Sequence, residues 1–316
     1  MRIALATAAD QEFTDQDDAP LLAALEAAGH QAELHAWDDP RVAWQDLDAV
    51  LIRTTWDYPA RRDRFVAWAA EVAAVTTLHN SAEVVRWNTH KGYLLELEER
   101  GMPLVPTAWL ARGDHVDLGA LATARDWPEV VLKPAIGAGG DGLLRCTPPQ
   151  GQDHLDALTA AGDALVQPYL PSIETVGELS VVLFDGAVSH AVRKRPAEGA
   201  FLVQIDRGGS YEPVVSIPED AARLARWVVE VTGHDPLFAR VDLLVDDAGT
   251  WLVNEVELTE PGLYMHLVAG SAERLVAALE RRLAPVAAGA PGPAGAAGMP
   301  GTPGAPGTAG TPGTAG

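Results

Sequence analysis

The sequence predicts an α/β fold built in two parts, a small parallel α/β unit followed by a larger region of α+β subdomains. Three observations carry that reading. Apolar runs of strand length alternate with helix-length stretches over the first hundred residues. After Gly101-Met102-Pro103 the texture changes to short, closely spaced strands with turn residues between them. From Gly289 to Gly316 glycine stands at every third position with no charge between, a collagen-like pattern predicted to form a flexible, disordered tail rather than a triple helix.

Taken in order, residues 2–7 form an apolar strand, and a helix over Ala19–Ala28 closes at Gly29. Gln31–Trp37 alternates as a strand should, and Ala49–Thr54 reads as a buried strand. Helices are predicted over Arg61–Val75 and over Ser81 to about Arg100, the second carrying Lys91. Beyond the glycine-proline break come a strand at Val130–Pro134, a glycine-rich loop at 136–142, a helix near 151–161 and a strand at 164–167. Two strands, 177–184 and 187–195, meet at Asp185-Gly186, a strong hairpin signal. A helix from Pro218 to Thr232, a hairpin from Phe238 to Glu257 and a helix from Ser271 to Leu283 end the globular part.

Composition narrows the function. The 316 residues hold 23 basic and 44 acidic side chains, a net charge of −21, which repels nucleic acid and anionic membrane surfaces. A single cysteine, Cys146, excludes an intramolecular disulfide, and no apolar run reaches the roughly 18 residues that span a bilayer. The apolar stretch at the amino terminus is too short for a signal sequence, so a cytoplasmic location is expected. Among the 23 basic residues only Lys91, Lys133 and Lys194 are lysine. In a chain that otherwise uses arginine, these three mark candidate positions for a compact ammonium, unless they survive by chance.

Chemistry concentrates in the last hairpin, Ala239-Arg240-Val241-Asp242 against Asn254-Glu255-Val256-Glu257. Side chains two apart on a strand share a face, so Glu255 and Glu257 point the same way, roughly 7 Å apart. With the turn centred between Asp247 and Ala248, Glu255 faces Arg240 and Asp242 lies diagonally beside it. Three carboxylates converging among apolar strands require a compensating cation, and hard oxygen donors suit Mg²⁺ held together with phosphates. A solvated face with Arg240 paired to one carboxylate is the alternative. Lys133 ends a strand just before the loop containing Gly139 and Gly140, whose N–H groups can approach phosphate oxygens; an ordinary turn is the alternative, since the spacing matches neither common phosphate-loop motif. The apolar strand Leu165-Val166-Gln167-Pro168-Tyr169-Leu170 can hold a purine, with Glu174 or Glu178 accepting from ribose hydroxyls, or be a plain strand end.

The order of these pieces over residues 80–285 resembles the ATP-grasp superfamily of carboxylate ligases. The resemblance implies ATP and Mg²⁺ as cofactors, with Lys91 and Lys133 on phosphates and Gln167, Pro168, Tyr169 and Leu170 against adenine. It places Glu178 on the ribose, Glu174 competing for that role, and Asp242, Glu255 and Glu257 on metal, Glu257 standing where relatives often carry asparagine. Lys194, in Arg193-Lys194-Arg195, falls on a strand facing the site. It further implies a pre-grasp α/β domain at 1–88, an ATP-grasp domain of two α+β subdomains at 89–287 and a tail at 288–316.

The segments Ile52-Arg53-Thr54-Thr55-Trp56-Asp57-Tyr58, Trp87-Asn88-Thr89-His90-Lys91 and Val166–Pro171 look like the branch that closes O-ureido-D-serine in D-cycloserine biosynthesis. The glycine loop departs from that branch's serine- and alanine-containing loop. The implied reaction transfers phosphate from ATP to a substrate carboxylate, and an internal or external amine then attacks the acyl phosphate. Arg240 and Lys194 act catalytically on developing charge, while Arg207 and Arg53, the latter with Trp56 and Asp57, bind the substrate carboxylate, a surface salt bridge being the alternative for Arg207. An intermolecular, glutathione-synthetase-like amide ligase is the second reading, and a scaffold acting through the collagen-like tail the third. The expected partner is a small-molecule carboxylate, with homo-oligomer or single chain left open.

Overall fold

Strands that are covered on both faces must be apolar throughout, and two segments near the amino terminus meet that condition. The computed structural model describes residues 1–10 and 15–284, so the glycine-repeat tail lies outside the described residues. β1 (Arg2–Thr7), α1 (Asp18–Ala27), β2 (Gln31–Ala36), β3 (Ala49–Ile52), α2 (Arg62–Ala73) and β4 (Thr77–His79) build a four-stranded parallel sheet in the order β2-β1-β3-β4. All of β3 and the centre of β1 are buried. Helix α2 turns Phe65, Trp68, Ala69 and Val72 inward, and Trp37, Phe65 and Trp68 pack as an aromatic cluster. Gly29, at φ +83°, follows α1 in the left-handed conformation its predicted helix-ending role requires.

The single helix expected from Ser81 to about Arg100 is two, α3 (Ala82–Asn88) and α4 (Tyr93–Glu99), so Lys91 sits in the break rather than on a helix. Long-range hydrogen bonds outcompete helix continuation there. Asn88 Nδ2 donates to Val256 O at 2.7 Å, and the Lys91 amide donates to Ala135 O at 2.8 Å.

β5 (Ala108–Leu110), α5 (Leu118–Ala124), β6 (Val130–Pro134), β7 (Leu144–Cys146), α6 (Pro148–Ala161) and β8 (Ala164–Pro168) form an antiparallel sheet in the order β5-β8-β6-β7. Val130, Leu132 and Val166 pack under Leu118, Ala122 and Leu155 of the two helices. The two-residue period then turns Val131 and Lys133 to the other face.

A short helix α7 (Ser172–Thr175) leads into β9 (Glu178–Phe184), β10 (Ala187–Arg195), β11 (Ser210–Pro213), α8 (Glu219–Thr232), β12 (Phe238–Val245), β13 (Trp251–Glu257) and α9 (Ser271–Leu283). The strands make a five-stranded antiparallel sheet in the order β11-β10-β9-β12-β13. At the β9–β10 turn both Asp185 (φ 51°) and Gly186 (φ 75°) adopt the positive φ that a tight hairpin needs. Leu179, Val181, Leu183, Ala239, Val241 and Leu243 bury against Leu224, Ala225 and Val228 of α8. The same alternation leaves Glu178, Ser180, Arg240 and Asp242 on the opposite face.

The predicted register of the last hairpin is corrected. Val245 pairs with Trp251, and a bulge at Asn254 shifts the ladder so that Asp242 faces Glu255 and Arg240 faces Glu257. Without the bulge the carboxylates would turn into the apolar face; the extra residue returns them to the side of Asp242. Asn80 fastens the parallel sheet to this one, donating to Phe238 O at 2.8 Å and accepting from the Leu237 amide at 2.7 Å.

Candidate active site

The free faces of the two antiparallel sheets enclose a cavity of about 1000 Å³. All three lysines of the chain line it, together with Arg240, Asp242, Glu255 and Glu257. At its centre Arg240 forks onto Asp242, Nε to Oδ1 at 3.0 Å and Nη2 to Oδ2 at 3.0 Å, and also pairs with Glu257. Lys194 Nζ lies 3.3 Å from Asp242 Oδ2 and pairs with Glu178, while Ser180 donates to Asp242 Oδ1 at 2.5 Å. Lys91 pairs with Glu255. Lys133 donates to Asn254 Oδ1 at 3.0 Å, and Asn254 Nδ2 donates to Glu178 Oε2 at 2.8 Å. The bulge residue thus joins the lysine at the end of β6 to the acid at the start of β9.

Burial and charge divide these carboxylates. Burial pushes Asp242 up, but Arg240 and then Lys194 outweigh it and hold the carboxyl well below the usual range. Glu257 rises to about 7, through burial and the neighbouring Glu255 against the pull of Arg240. Glu260 rises to about 8, through burial and then Glu257. Burial lowers Lys133, whereas for Lys91 the Glu255 carboxylate outweighs burial and raises the ammonium. Asp242, Glu255 and Glu257 offer oxygens within 4.8 Å of one another, a hard donor set. That set fits a divalent cation with oxygen preference.

Val105, Val131, Leu170, Ile173 and Leu244 make an apolar end of the cavity, with Gln167, Pro168 and Tyr169 beside them. The Gln167 amide is turned away, donating to Thr107 Oγ1 at 2.9 Å, so this residue faces the cavity without offering its side-chain donor. The Tyr169 ring carries the Arg145 guanidinium 3.5 Å from its centroid. Of the two ribose candidates only Glu178 lines the cavity. Glu174 is corrected: it accepts from Tyr169 Oη at 2.5 Å and pairs with Arg145 at 2.9 Å outside the cavity wall, because α7 carries it to the outer surface.

Gly139 and Gly140, at φ +62° and +80°, roof the cavity, and a Cβ on Gly140 would stand 3.2 Å from the Gln204 amide. Arg207 borders the cavity but bonds Asp141 Oδ1 at 3.0 Å and Asp206, linking the glycine loop to the facing segment. Arg53 is corrected as well. Its side chain is fully buried, donating to Pro261 O at 3.0 Å and to Asp15 Oδ2 at 3.2 Å, so it touches no substrate space. Trp56, its neighbour, does line the cavity, whereas Asp57 pairs with Trp37 and Arg61. Sequence reasoning passed over Ser180, Glu260 and the group Asp15, Asp17 and His266. Ser180 could have been read from its position two residues after Glu178. Glu260 follows the acidic strand within Thr259-Glu260-Pro261-Gly262.

Residues 3–80 match the family described as D-cycloserine synthetase DcsG, N-terminal domain, and residues 107–265 the family described as prokaryotic glutathione synthetase, ATP-grasp domain. The chain is 33% identical to the cycloserine biosynthesis protein DcsG of Streptomyces lavendulae over 306 residues, which span 90% of this chain and 99% of that protein. It is 29% identical over 196 residues to a glutathione synthetase of Prochlorococcus marinus (strain MIT 9313), spanning 61% of this chain and 59% of that one. Its fold superposes on the crystal structure of D-cycloserine synthetase DcsG with a TM-score of 0.80 at 30% identity, covering 90% of this chain and all of that one.

Proposed function

The chain belongs to the ATP-grasp ligases, enzymes that form C–N bonds with ATP and a divalent metal, and on that premise we propose that it activates the carboxylate of an amino-acid derivative and closes it onto an amine of the same molecule. The observation that carries this reading is the meeting of three carboxylates, all three lysines and Arg240 around one cavity with an apolar end. Residues 1–88 act as the pre-grasp domain and residues 89–287 as the ATP-grasp domain.

In this reading Gln167, Pro168, Tyr169 and Leu170 flank adenine, Glu178 accepts from the ribose, and Lys91, Lys133 and the Gly139-Gly140 backbone contact phosphates. Asp242, Glu255 and Glu257 hold Mg²⁺, which when bound neutralises β- and γ-phosphate charge. A substrate carboxylate oxygen takes the γ-phosphoryl group, giving ADP and an acyl phosphate. The amine nitrogen bonds to the acyl carbon, the C–O bond to phosphate breaks, and nitrogen gives up its proton. Arg240 and Lys194 stabilise charge on the transferring group, an effect that geometry fixed in advance makes large. The near full-length likeness to a cycloserine protein favours cyclisation; the glutathione synthetase likeness over 107–265 keeps an intermolecular ligase as the second reading.

The test is ADP release with Mg²⁺ over a panel of amino-acid derivatives that includes O-ureido-D-serine, with mass spectrometry of the products. A ring product equal to its substrate less one water, or less one water and the carbamoyl group where a ureido nitrogen attacks, supports cyclisation, and a condensation product supports the second reading. ATP left intact with every derivative would contradict both.

A further inference from the structure

Three consecutive carbonyls in the loop after β13 are each held by a side-chain donor from another part of the chain. Trp56 Nε1 donates to Glu260 O at 3.0 Å, Arg53 Nη1 to Pro261 O at 3.0 Å, and Arg240 Nη1 to Gly262 O at 3.2 Å. The next residue is held on both sides, its amide by Asp17 at 2.9 Å and its carbonyl by His190 at 2.7 Å. A backbone pinned in this way fixes the direction of the one long polar side chain it carries. That side chain is Glu260, whose carboxylate lines the cavity beside Trp56 and Tyr58.

Among the described residues this carboxylate accepts no hydrogen bond and forms no ion pair. The cations nearest in charge are engaged elsewhere, Lys91 by Glu255 and Arg240 by Asp242 and Glu257. Nor is Glu260 part of the converging oxygen cluster of Asp242, Glu255 and Glu257. The residue is half-buried and on the cavity wall, so a rigid backbone holds an acid unpaired by the protein where a ligand can reach it. Aromatic neighbours and an unpaired acid together suit a protonated amine, since an ammonium is drawn to ring faces and its charge favours the ionised form of the acid beside it.

We propose that Glu260 is the recognition group for a substrate amino group other than the attacking nitrogen, setting which end of that molecule faces the phosphoryl-transfer site. The proposal rests on the ligase reading above and assigns its substrate a free amine in the bound state.

The experiment compares wild type with Glu260→Gln, using O-ureido-D-serine and its N-acetyl derivative as probes. Without ligand, Glu260→Gln should melt no lower than wild type; a fall of more than about 4 °C would reveal a structural partner and overturn the proposal. Wild type should favour the free amine, and Glu260→Gln should raise its KM by about ten- to hundredfold with a smaller change in kcat, erasing that preference. Preference retained in the variant would overturn the proposal. Calorimetry of both probes on protein loaded with Mg²⁺ and a non-hydrolysable ATP analogue separates the two ideas. Glu260-dependent binding without ADP release sinks the ligase reading alone, whereas ADP release indifferent to Glu260→Gln sinks the amine site alone. Neither binding nor release sinks both.

Discussion

Two buried clusters of acids and bases lie in this molecule, and they are finished differently. Around Arg53 the charges are held mainly by other parts of the chain, although Asp15 and His266 also reach the cavity wall. Asp17 takes the Leu263 amide, the His266 amide and His266 Nδ1, and Arg53 divides its terminal nitrogens between Asp15 and Pro261 O. Around Arg240 the charges open onto the cavity, and two of the acids there, Glu257 and Glu260, are pushed to about 7 and about 8. Buried charge whose partners come mostly from the fold clamps one segment to another. Buried charge with a surplus of one sign, facing a cavity, is arranged for something the chain does not itself supply.

The largest effect that could break this contrast is at the Arg53 cluster. Arg53→Met leaves Asp15 and Asp17 buried without their counter-charge, so stability should fall by about 3–5 kcal/mol, read as a midpoint shift in thermal or urea unfolding. A variant that folds as wild type and loses only substrate affinity would restore the sequence-based reading of Arg53 as a carboxylate-binding group. Next in size, Lys133→Arg keeps the charge but replaces a compact ammonium with a broad fork beside Asn254 and the glycine loop. Turnover should drop about ten- to hundredfold while the melting temperature holds, and wild-type kinetics would remove Lys133 from the phosphate role.

A third effect sharpens the comparison from within the parallel-sheet region. Burial, then the charge of Arg282, lowers His79 to about 4, and its Nε2 has no hydrogen-bond partner among the described residues. The unfolded chain binds this proton near pH 6.5, so stability is complete above that pH and drains away as pH falls toward 4. Between pH 7 and pH 5 the wild type should lose about 2 kcal/mol more than His79→Gln, measured by urea unfolding at each pH. Parallel curves for the two proteins would show that His79 is not held neutral.

Local patterns were legible in the sequence, and distant partners were not. The alternation in Asn254-Glu255-Val256-Glu257 announced which face the acids share, and the scarcity of lysine pointed to three residues that all line the cavity. The bulge at Asn254 was hidden, because the count of residues in a turn does not reveal where a ladder slips. Arg53 was misread because the groups that claim it, Asp15 and the Pro261 carbonyl, are 38 and 208 residues away along the chain. The break at Lys91 likewise depends on hydrogen bonds to Ala135 and Val256, which no helix propensity encodes.

The central claim is that the carboxylates converging on Asp242 form a metal–nucleotide site. Titration of Mg²⁺ and ATP into wild type and Glu255→Gln by calorimetry tests it most directly, since the substitution keeps the shape of the side chain and removes one anionic donor. The account predicts Mg²⁺-dependent ATP binding in wild type, a loss of at least tenfold in affinity in Glu255→Gln, and an unchanged melting temperature without ligand. Equal Mg²⁺-ATP affinity in the two proteins would contradict it.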